Sequence, residues 1–224
     1  MSESALLGYE AALAGVPCHV IDDDARSVSI PIHRWTGAPT AEDFALIGQC
    51  RGDTLDIGCG AGRMTIALAR RGHDSLGIDI SPAAVRRARL HGAVARVADV
   101  FGEVPRAGRW HTVLLADGNI GIGGNPLRLL RRAASLVVPG GHLVTDLADA
   151  GVATSVRRLR LVVDGRPSRP FHWAVVGADG IQLLAATAGL RVDSIGHHQG
   201  RWSARLRLRT PRVDDTPSNR RRYQ

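Results

Sequence analysis

Residues 55–63, LDIGCGAGR, decide how the remainder of this sequence is interpreted. An apolar run ends there in glycines at positions 58, 60 and 62, and an amphipathic stretch follows at residues 63–71. Glycines at this spacing allow a tight turn and a close approach of the backbone to a ligand beside a helix N-terminus. The spacing is neither the G-x-G-x-x-G of dinucleotide enzymes nor the lysine-containing P-loop. We therefore predict a strand, a ligand-binding loop and a helix, in that order.

Outward from this stretch, short apolar runs alternate with amphipathic ones. Strands are predicted at residues 54–57, 75–78, 94–97, 112–116, 142–145, 156–163 and 201–209, and helices at residues 63–71, 127–137 and 178–188. Ser81-Pro82 begins a further helix and Asn125-Pro126 begins the one at 127–137, because each pairs an N-cap residue with a proline at the first helical position. Strands and helices that alternate at this spacing predict βαβ units. The predicted fold class is α/β, with a Rossmann-like, doubly wound and mostly parallel sheet.

The two ends of the chain lack this alternation. Residues 1–50 contain helix candidates at 5–14 and from Thr40 onward but no strand-like run, so we predict a small N-terminal helical cap that can act as a lid. Residues 51–209 form the predicted ligand-binding domain. Residues 210–224 have no apolar period and several arginines, which predicts a disordered basic tail.

The cations of the sequence are all arginine, since the 29 Lys+Arg include no lysine. Chemistry that needs a Walker A lysine or a Schiff-base lysine is therefore excluded. Cys18, Cys50 and Cys59 include no C-x-x-C pair, so we expect neither a disulfide framework nor a metal site. No signal-peptide pattern and no apolar run of about 18–20 residues is present, which favours a cytoplasmic protein with no membrane partner.

The net charge of +8 is concentrated near the C-terminus, because 21 arginines and 19 acids remain outside residues 201–224. Arg201, Arg205, Arg207 and Arg209 alternate with smaller or apolar residues, a pattern typical of a half-exposed strand. Such a face can bind nucleic acid or can simply be solvated. Few aromatic residues accompany the arginines, so a nucleic-acid partner is not favoured.

An acidic residue follows the second predicted strand. Asp79 comes 17 positions after Gly62, at the end of a buried apolar run. A carboxylate at this point of an α/β sheet can accept hydrogen bonds from both hydroxyls of a ribose. The glycine loop and this acid together indicate a ligand that contains a nucleoside.

At these residues the sequence resembles the class I S-adenosylmethionine-dependent methyltransferases, which have a seven-stranded sheet. Residues 55–63 look like their motif I, residues 77–81 like the acidic loop after the second strand, and Ala98-Asp99-Val100 like the loop that contacts adenine. Residues 110–119 and 136–143 are similar to the regions around strands four and five. More narrowly, residues 117–126 resemble a loop of an actinobacterial, type-11-like subgroup. The resemblance implies S-adenosylmethionine as the cofactor.

For the methionine end of the cofactor, the resemblance implies three kinds of contact. Gly58, Cys59 and Gly60 would pack against the methionine part, and Asp56 would hold the loop or the amino group. Asp117-Gly118 would line the floor near the sulfonium. A purely structural role for the Asp56 carboxylate in anchoring the loop is the alternative.

For the adenosine end, the resemblance implies four residues. Asp79 would bind the ribose hydroxyls and Ile80 would lie against adenine. Asp99 would accept a hydrogen bond from the adenine amino group, with Val100 beside it. The alternative for Asp99 is that it only caps the turn that follows.

Methyl transfer needs a general base only if the acceptor hydroxyl must lose a proton. The candidate base is His172, which lies between two aromatic residues in the region after the fifth strand. Asn119 is a candidate contact to the acceptor. Further candidates are His197-His198, His33 beside Trp35, and the acids Asp146 and Asp149.

The sequence thus predicts a methyltransferase that modifies an oxygen or nitrogen of a small-molecule acceptor, in specialised metabolism. One alternative is a methyltransferase of RNA or protein that docks through the arginine-rich C-terminal strand. Another is a cofactor-binding protein that assists a different reaction, such as a cyclisation. The oligomeric state is left open.

Overall fold

The computed structural model describes residues 2–28 and 37–208. In chain order its elements are α1 (Glu3–Leu13), β1 (Cys18–Asp22), β2 (Ser27–Val28), α2 (Ala41–Ile47), β3 (Thr54–Ile57), α3 (Arg63–Arg70), β4 (Ser75–Asp79), α4 (Pro82–Leu90), β5 (Ala95–Val97), β6 (Trp110–Leu115), α5 (Pro126–Leu136), β7 (Val137–Leu147), β8 (Ser155–Val163), β9 (Arg166–Pro167), β10 (Phe171–Val175), α6 (Ile181–Thr187), β11 (Leu190–His198) and β12 (Arg201–Leu208). His33, Trp35 and the predicted tail at 210–224 lie outside the described residues.

A seven-stranded sheet forms the centre of the fold, in the order β11-β12-β7-β6-β3-β4-β5. β3, β4, β5, β6 and β7 pair in parallel, whereas β12 is antiparallel to both β7 and β11. All four residues of β3 and all five of β4 are buried, as expected for strands that helices cover on both faces. The predicted α/β class with a doubly wound, mostly parallel sheet is confirmed.

Two apolar clusters cover the faces of this sheet. The larger one joins β3, β6 and β7 to α5 and α6, with Trp110, Leu129 and Leu143 fully buried. The other places Leu46 of α2 and Leu68 of α3 against residues of β6 and β7. The sheet is therefore held rigidly, and the loops after its parallel strands present their side chains from a fixed base.

Helix starts agree with the local sequence. The Thr40 side chain accepts a hydrogen bond from the Asp43 backbone, and the Asp43 carboxylate accepts one from the Thr40 backbone, which is a capping box. Ser81 and Asn125 cap α4 and α5 as predicted, each followed by proline. None of the helices in the described part of the chain is long and apolar enough to cross a membrane.

A second sheet corrects the prediction that residues 1–50 contain no strand. β1 and β2 pair with each other, and β1 also pairs with β8, giving the order β10-β8-β1-β2 with β9 beside β8. The partners are distant in the chain, for example Val20 opposite Leu161, so no local pattern reveals the pairing. The N-terminal segment is therefore not purely helical, and three strands from the predicted main domain complete its sheet. Movement of the cap as a lid stays a prediction.

Candidate active site

A cavity of about 680 Å³ lies between the carboxyl ends of β3, β4, β5 and β6 and the inner face of the second sheet. Loops at this edge of an open parallel sheet form the usual ligand crevice of doubly wound folds. Among the described residues that were predicted to bind or act, those that line the cavity are Asp56, Gly58, Cys59, Gly60, Asp79, Ile80, Asp99, Val100, Asp117, Asn119 and His172. Those that do not line it are Gly118, Asp146, Asp149, His197 and His198. The structure therefore brings the lining residues together at one cavity, and their roles toward a ligand stay predictions.

The glycine loop follows β3 and turns under the cavity. Gly58 has a φ of +73°, and a Cβ added there would lie 2.6 Å from Nδ2 of Asn119. That amide nitrogen donates hydrogen bonds to the carbonyl oxygens of Ile57 (2.8 Å) and Gly58 (3.0 Å). Asn119 thus anchors the loop, in addition to its predicted role as a contact for the acceptor. Burial raises the pKa of the Cys59 thiol well above its usual value, which keeps this thiol neutral.

Asp79 ends β4 with its carboxylate in the cavity wall. Its Oδ2 accepts hydrogen bonds from the Gly60 backbone (3.0 Å) and the Tyr9 hydroxyl (3.3 Å), and its Oδ1 accepts one from the Ser81 backbone (2.8 Å). Burial raises the pKa of Asp79, and the backbone donors Ser81 and Gly60 oppose that rise. The sequence offered Tyr9 only as apolar cover from the N-terminal cap, and it did not predict the hydrogen bond to Asp79. Its hydroxyl donates from the cavity side, as a ribose hydroxyl would.

Asp56 lies deeper, at the end of β3. Its Oδ2 accepts a hydrogen bond of 2.7 Å from Oγ1 of Thr65 in α3. Burial raises the pKa of Asp56 to about 6, against the effect of this hydrogen bond. The hydrogen bond from Thr65 agrees with the alternative role of Asp56, in which its carboxylate anchors the loop. The other carboxylate oxygen can still contact a ligand.

The wall after β5 is open and partly aromatic. Asp99 is exposed and accepts a hydrogen bond from the Phe101 backbone at 2.9 Å, so it caps the local turn, while Val100 is buried. The guanidinium of Arg128 stacks on the Phe101 ring at 4.2 Å. An exposed carboxylate beside apolar surface suits a purine with an exocyclic amino group.

Charged side chains beneath the cavity form a buried ion cluster, defined here as Asp43, Arg63, Asp117 and Arg201. Arg63 pairs with both Asp43 and Asp117, and Arg201 lies 3.1 Å from Asp43 and 3.5 Å from Asp117. Burial opposes ionisation of Asp43, but hydrogen bonds from Arg63 and the Thr40 backbone outweigh it and lower its pKa. Because the Asp117 charge is already compensated, little of it is left to attract a sulfonium.

Arg201 corrects the prediction of a half-exposed strand whose arginines all lie on its exposed face. Arg201 is 8% exposed and belongs to the ion cluster, while Arg205 and Arg207 lie 3.8 and 2.7 Å from Asp193 of β11. Alternation along a strand shows which residues share a face, but not which face a neighbouring element covers. Here α2 brings acids over Arg201.

The inner face of the second sheet forms the opposite wall. Val20, Leu159, Leu161, Phe171 and Trp173 line the cavity there as one apolar patch. The rings of Phe171 and Trp173 meet edge to face at 6.5 Å. The sequence placed the candidate base His172 between these two aromatic residues, but it did not predict the sheet that carries them.

The candidate bases are less well placed than the cofactor residues. His172 borders the cavity, but strand alternation directs its exposed side chain to the face opposite Phe171 and Trp173. His197 packs on Trp202 at 5.3 Å in the β11–β12 hairpin, away from the cavity lining. The geometry gives little support to these histidines as bases.

Asp146 of β7 is buried next to the ion cluster. Its Oδ1 accepts a hydrogen bond from the Gly118 backbone at 2.9 Å, and Arg201 lies 3.9 Å from its Oδ2. Gly118 itself, predicted to line the floor, is thereby fixed over β7. Burial raises the pKa of Asp146 to about 6, against the attraction of Arg201.

The residues fit S-adenosylmethionine as the group this cavity would hold. The loop at Gly58 has no room for a Cβ, the carboxylate of Asp79 lies in the wall, and an apolar surface with an exposed acid follows β5. Residues 38–195 match the family described as "Methyltransferase domain". The chain belongs to that methyltransferase family.

Relatives agree with this assignment. The methyltransferase is 34% identical over 97 residues to a ubiquinone biosynthesis O-methyltransferase of Acinetobacter baylyi, covering 40% of each protein. It is 36% identical over 172 residues to a protein of the same name from Xanthomonas campestris, covering 72% of this chain and 63% of the relative. The chain thus spans less than two thirds of the length of both curated relatives.

Among solved structures, a SAM-dependent methyltransferase from Bacteroides fragilis, in complex with S-adenosyl-L-homocysteine, has a similar fold. Its TM-score to the methyltransferase is 0.74 at 21% identity, and the match covers 92% of this chain and 94% of that one. Family and fold confirm the class I S-adenosylmethionine-dependent methyltransferase identified from the motifs. The actinobacterial subgroup stays a prediction.

The raised pKa values of Asp56 and Asp146 predict how stability changes with pH. Between about pH 4 and pH 6 the unfolded chain releases protons that these two folded carboxyls keep, so their contribution to the free energy of unfolding falls as the pH rises. Between these pH values the free energy of unfolding of Asp146→Asn is expected to fall by on the order of 2 kcal/mol less than that of the wild type. Denaturant unfolding at pH 4, 5, 6 and 7 measures it. Asp164→Asn, at an exposed turn position, is the control, and parallel profiles for wild type and Asp146→Asn would contradict the prediction.

Proposed function

We propose that this methyltransferase transfers the methyl group of S-adenosylmethionine to an oxygen or nitrogen of a small molecule, within specialised metabolism. The observation that carries the proposal is the continuity of one cavity. It extends from the glycine loop and Asp79 to the apolar wall of the second sheet. Its size, about 680 Å³, falls within the range of roughly 300–1,000 Å³ that small-molecule sites occupy.

When bound, S-adenosylmethionine supplies a methyl carbon that its sulfonium makes reactive toward an oxygen or nitrogen in line with it. Asp79 and the backbone around Gly60 would hold the ribose and the methionine part, and Asp99 with Val100 would hold the adenine. Asn119 would keep the glycine loop in position through its two hydrogen bonds to backbone carbonyls. These residues act by alignment, which is the main requirement of the transfer.

The second sheet would position the acceptor relative to the cofactor. Phe171 and Trp173 present flat apolar surfaces toward the cofactor side, where a ring of the acceptor can stack. α1 covers the cavity through Tyr9, which excludes water from the cofactor side. The predicted general base at His172 stays a proposal. The exposed orientation of this side chain favours an acceptor that needs no base, such as an amine or a partly ionised phenol.

The charge distribution favours a small molecule over RNA. Arg201 is buried among acids, and Arg205 and Arg207 are paired with Asp193. The arginines of this strand that the structure describes therefore have carboxylate partners, whereas phosphate binding requires cations that can replace counterions.

Incubation with methyl-labelled S-adenosylmethionine tests the proposal. We expect S-adenosylhomocysteine to form with members of a panel of aromatic phenols and amines, and no label to enter total RNA or protein at low or moderate salt. Asp79→Ala serves as the inactive control. Label in RNA or protein would contradict the small-molecule proposal, and micromolar binding of NAD with none of S-adenosylhomocysteine would contradict methyl transfer itself.

A further inference from the structure

An arginine, Arg157, lies at the edge of the apolar inner face of the second sheet. Along β8 the residues that face the cavity are Arg157, Leu159 and Leu161, and the cross-strand neighbour of Arg157 is Trp173 of β10. The two leucines are buried, whereas Arg157 is exposed. Because its side chain both lines the cavity and reaches solvent, Arg157 stands where the apolar wall opens.

Arg157 has no anionic partner within the part of the chain that the structure describes. Its neighbours on the strand differ: Arg158 lies 3.5 Å from Asp23, and Arg160 donates to the carbonyl oxygen of Ser168 at 3.1 Å. Both point away from the cavity. The acids of the cavity lie on the other side, and Asp117 among them is already paired with Arg63.

An arginine in this setting selects for an anion. A guanidinium offers a planar set of donors that matches a carboxylate, sulfonate or phosphate with two parallel hydrogen bonds. Apolar neighbours such as Trp173 reduce the screening of that attraction by water. Next to it, Leu159, Leu161 and Phe171 favour an apolar body over a polar one.

We propose that Arg157 determines acceptor specificity by binding an anionic group of a flat, apolar acceptor. The anion lies at the opening of the cavity, and the apolar body extends along the second sheet toward the glycine loop. The end remote from the anion is then the end that is methylated. The statement that the bound molecule is a methyl acceptor rests on the proposed function. Binding of an anion by Arg157 does not depend on that function.

Two fluorescent dyes with one aromatic skeleton test the site directly. 8-Anilinonaphthalene-1-sulfonate carries a sulfonate, and N-phenyl-1-naphthylamine is the same molecule without it. Binding is measured by the rise in dye fluorescence, with and without saturating S-adenosylhomocysteine. We expect the sulfonated dye to bind about tenfold more tightly or better than the neutral one.

Substitution of Arg157 tests whether this residue causes the preference for the sulfonated dye over the neutral one. In Arg157→Gln the affinity for the sulfonated dye is expected to fall about tenfold while that for the neutral dye stays the same, so the preference disappears. Arg158→Gln, which removes the adjacent guanidinium on the opposite face, is the matched control and should keep the preference. S-Adenosylhomocysteine affinity should be unchanged in both variants, which shows that the cofactor half is intact.

The inference is overturned if neither dye binds, if the neutral dye binds as tightly as the sulfonated one, or if Arg157→Gln keeps the preference. Failure of the proposed function has a different signature. In that case wild-type protein does not bind S-adenosylhomocysteine, while the dye comparison without this ligand still reports on Arg157.

Discussion

Replacing Asp79 by alanine is expected to weaken the binding of S-adenosylhomocysteine at least about a hundredfold. A buried carboxylate that accepts two hydrogen bonds from a ribose contributes roughly 1.5–3 kcal/mol for each, and both are lost together. The same substitution leaves the backbone N–H groups of Gly60 and Ser81 without their acceptor. Isothermal titration calorimetry measures the affinity, and unchanged affinity would refute the role of Asp79.

Two companion variants separate ligand contact from loop structure. Asp79→Asn keeps an acceptor oxygen for one backbone donor, so it should preserve more of the thermal stability while still losing most of the affinity. Tyr9→Phe removes the hydroxyl that donates to Asp79 and leaves the carboxylate in place. If Tyr9 and the ribose use the same acceptor, Tyr9→Phe binds S-adenosylhomocysteine as well as or better than wild type, which distinguishes it clearly from the Asp79 variants.

Asp43→Asn is expected to lower the free energy of unfolding by about 3 kcal/mol or more. Asp43 is fully buried and pairs with both Arg63 and Arg201, so neutralising it removes the most deeply buried carboxylate of the cluster and leaves Asp117 as the acid that both guanidinium groups share. Breaking a buried ion pair from one side typically costs about 3–5 kcal/mol. The thermal midpoint should fall by roughly 2–4 °C for each kcal/mol.

Controls isolate the buried charge from other effects. Asp24→Asn removes a carboxylate that pairs with Arg26 at 3.2 Å, but both partners are largely exposed, so a change within about 0.5 kcal/mol is expected. Thr40→Ala breaks the capping box and leaves the charge, which costs about 1 kcal/mol. An Asp43→Asn protein no less stable than Asp24→Asn would show that the ion cluster does not stabilise the fold.

The cofactor half of the site could be predicted because its signals are local. The glycines at 58, 60 and 62 directly follow β3, and Asp79 is the last residue of β4. Each signal therefore lies at the carboxyl end of one strand, and parallel strands bring these ends to one edge of the sheet. The strand order then places Asp56, Asp79 and Asp117 around one crevice without further information. Predictions of this kind require only that each strand be recognised.

The acceptor half could not be predicted because its contacts join distant parts of the chain. β1 is short and mixes polar with apolar residues, and besides its local pairing with β2 all five of its residues pair with the distant β8. Arg201 is similar, since its burial depends on α2, more than 150 positions earlier. Tyr9 reaches Asp79 from a helix of weak amphipathic character. Each of these residues gains its role from tertiary structure that local periodicity does not encode.

The pairing of β1 with β8 also has a consequence during protein synthesis. Val20 emerges from the ribosome 141 positions before its partner Leu161, so the edge of β1 that pairs with β8 has no partner while the whole cofactor half is made, although β2 can already pair with the other edge. An unpaired strand is a template for association with other chains. β1 is only five residues long, and Asp22, Asp23 and Asp24 lie at its end. A short strand next to a block of negative charge is a poor template for such association, so we expect the acidic turn to lower the tendency of the nascent chain to aggregate.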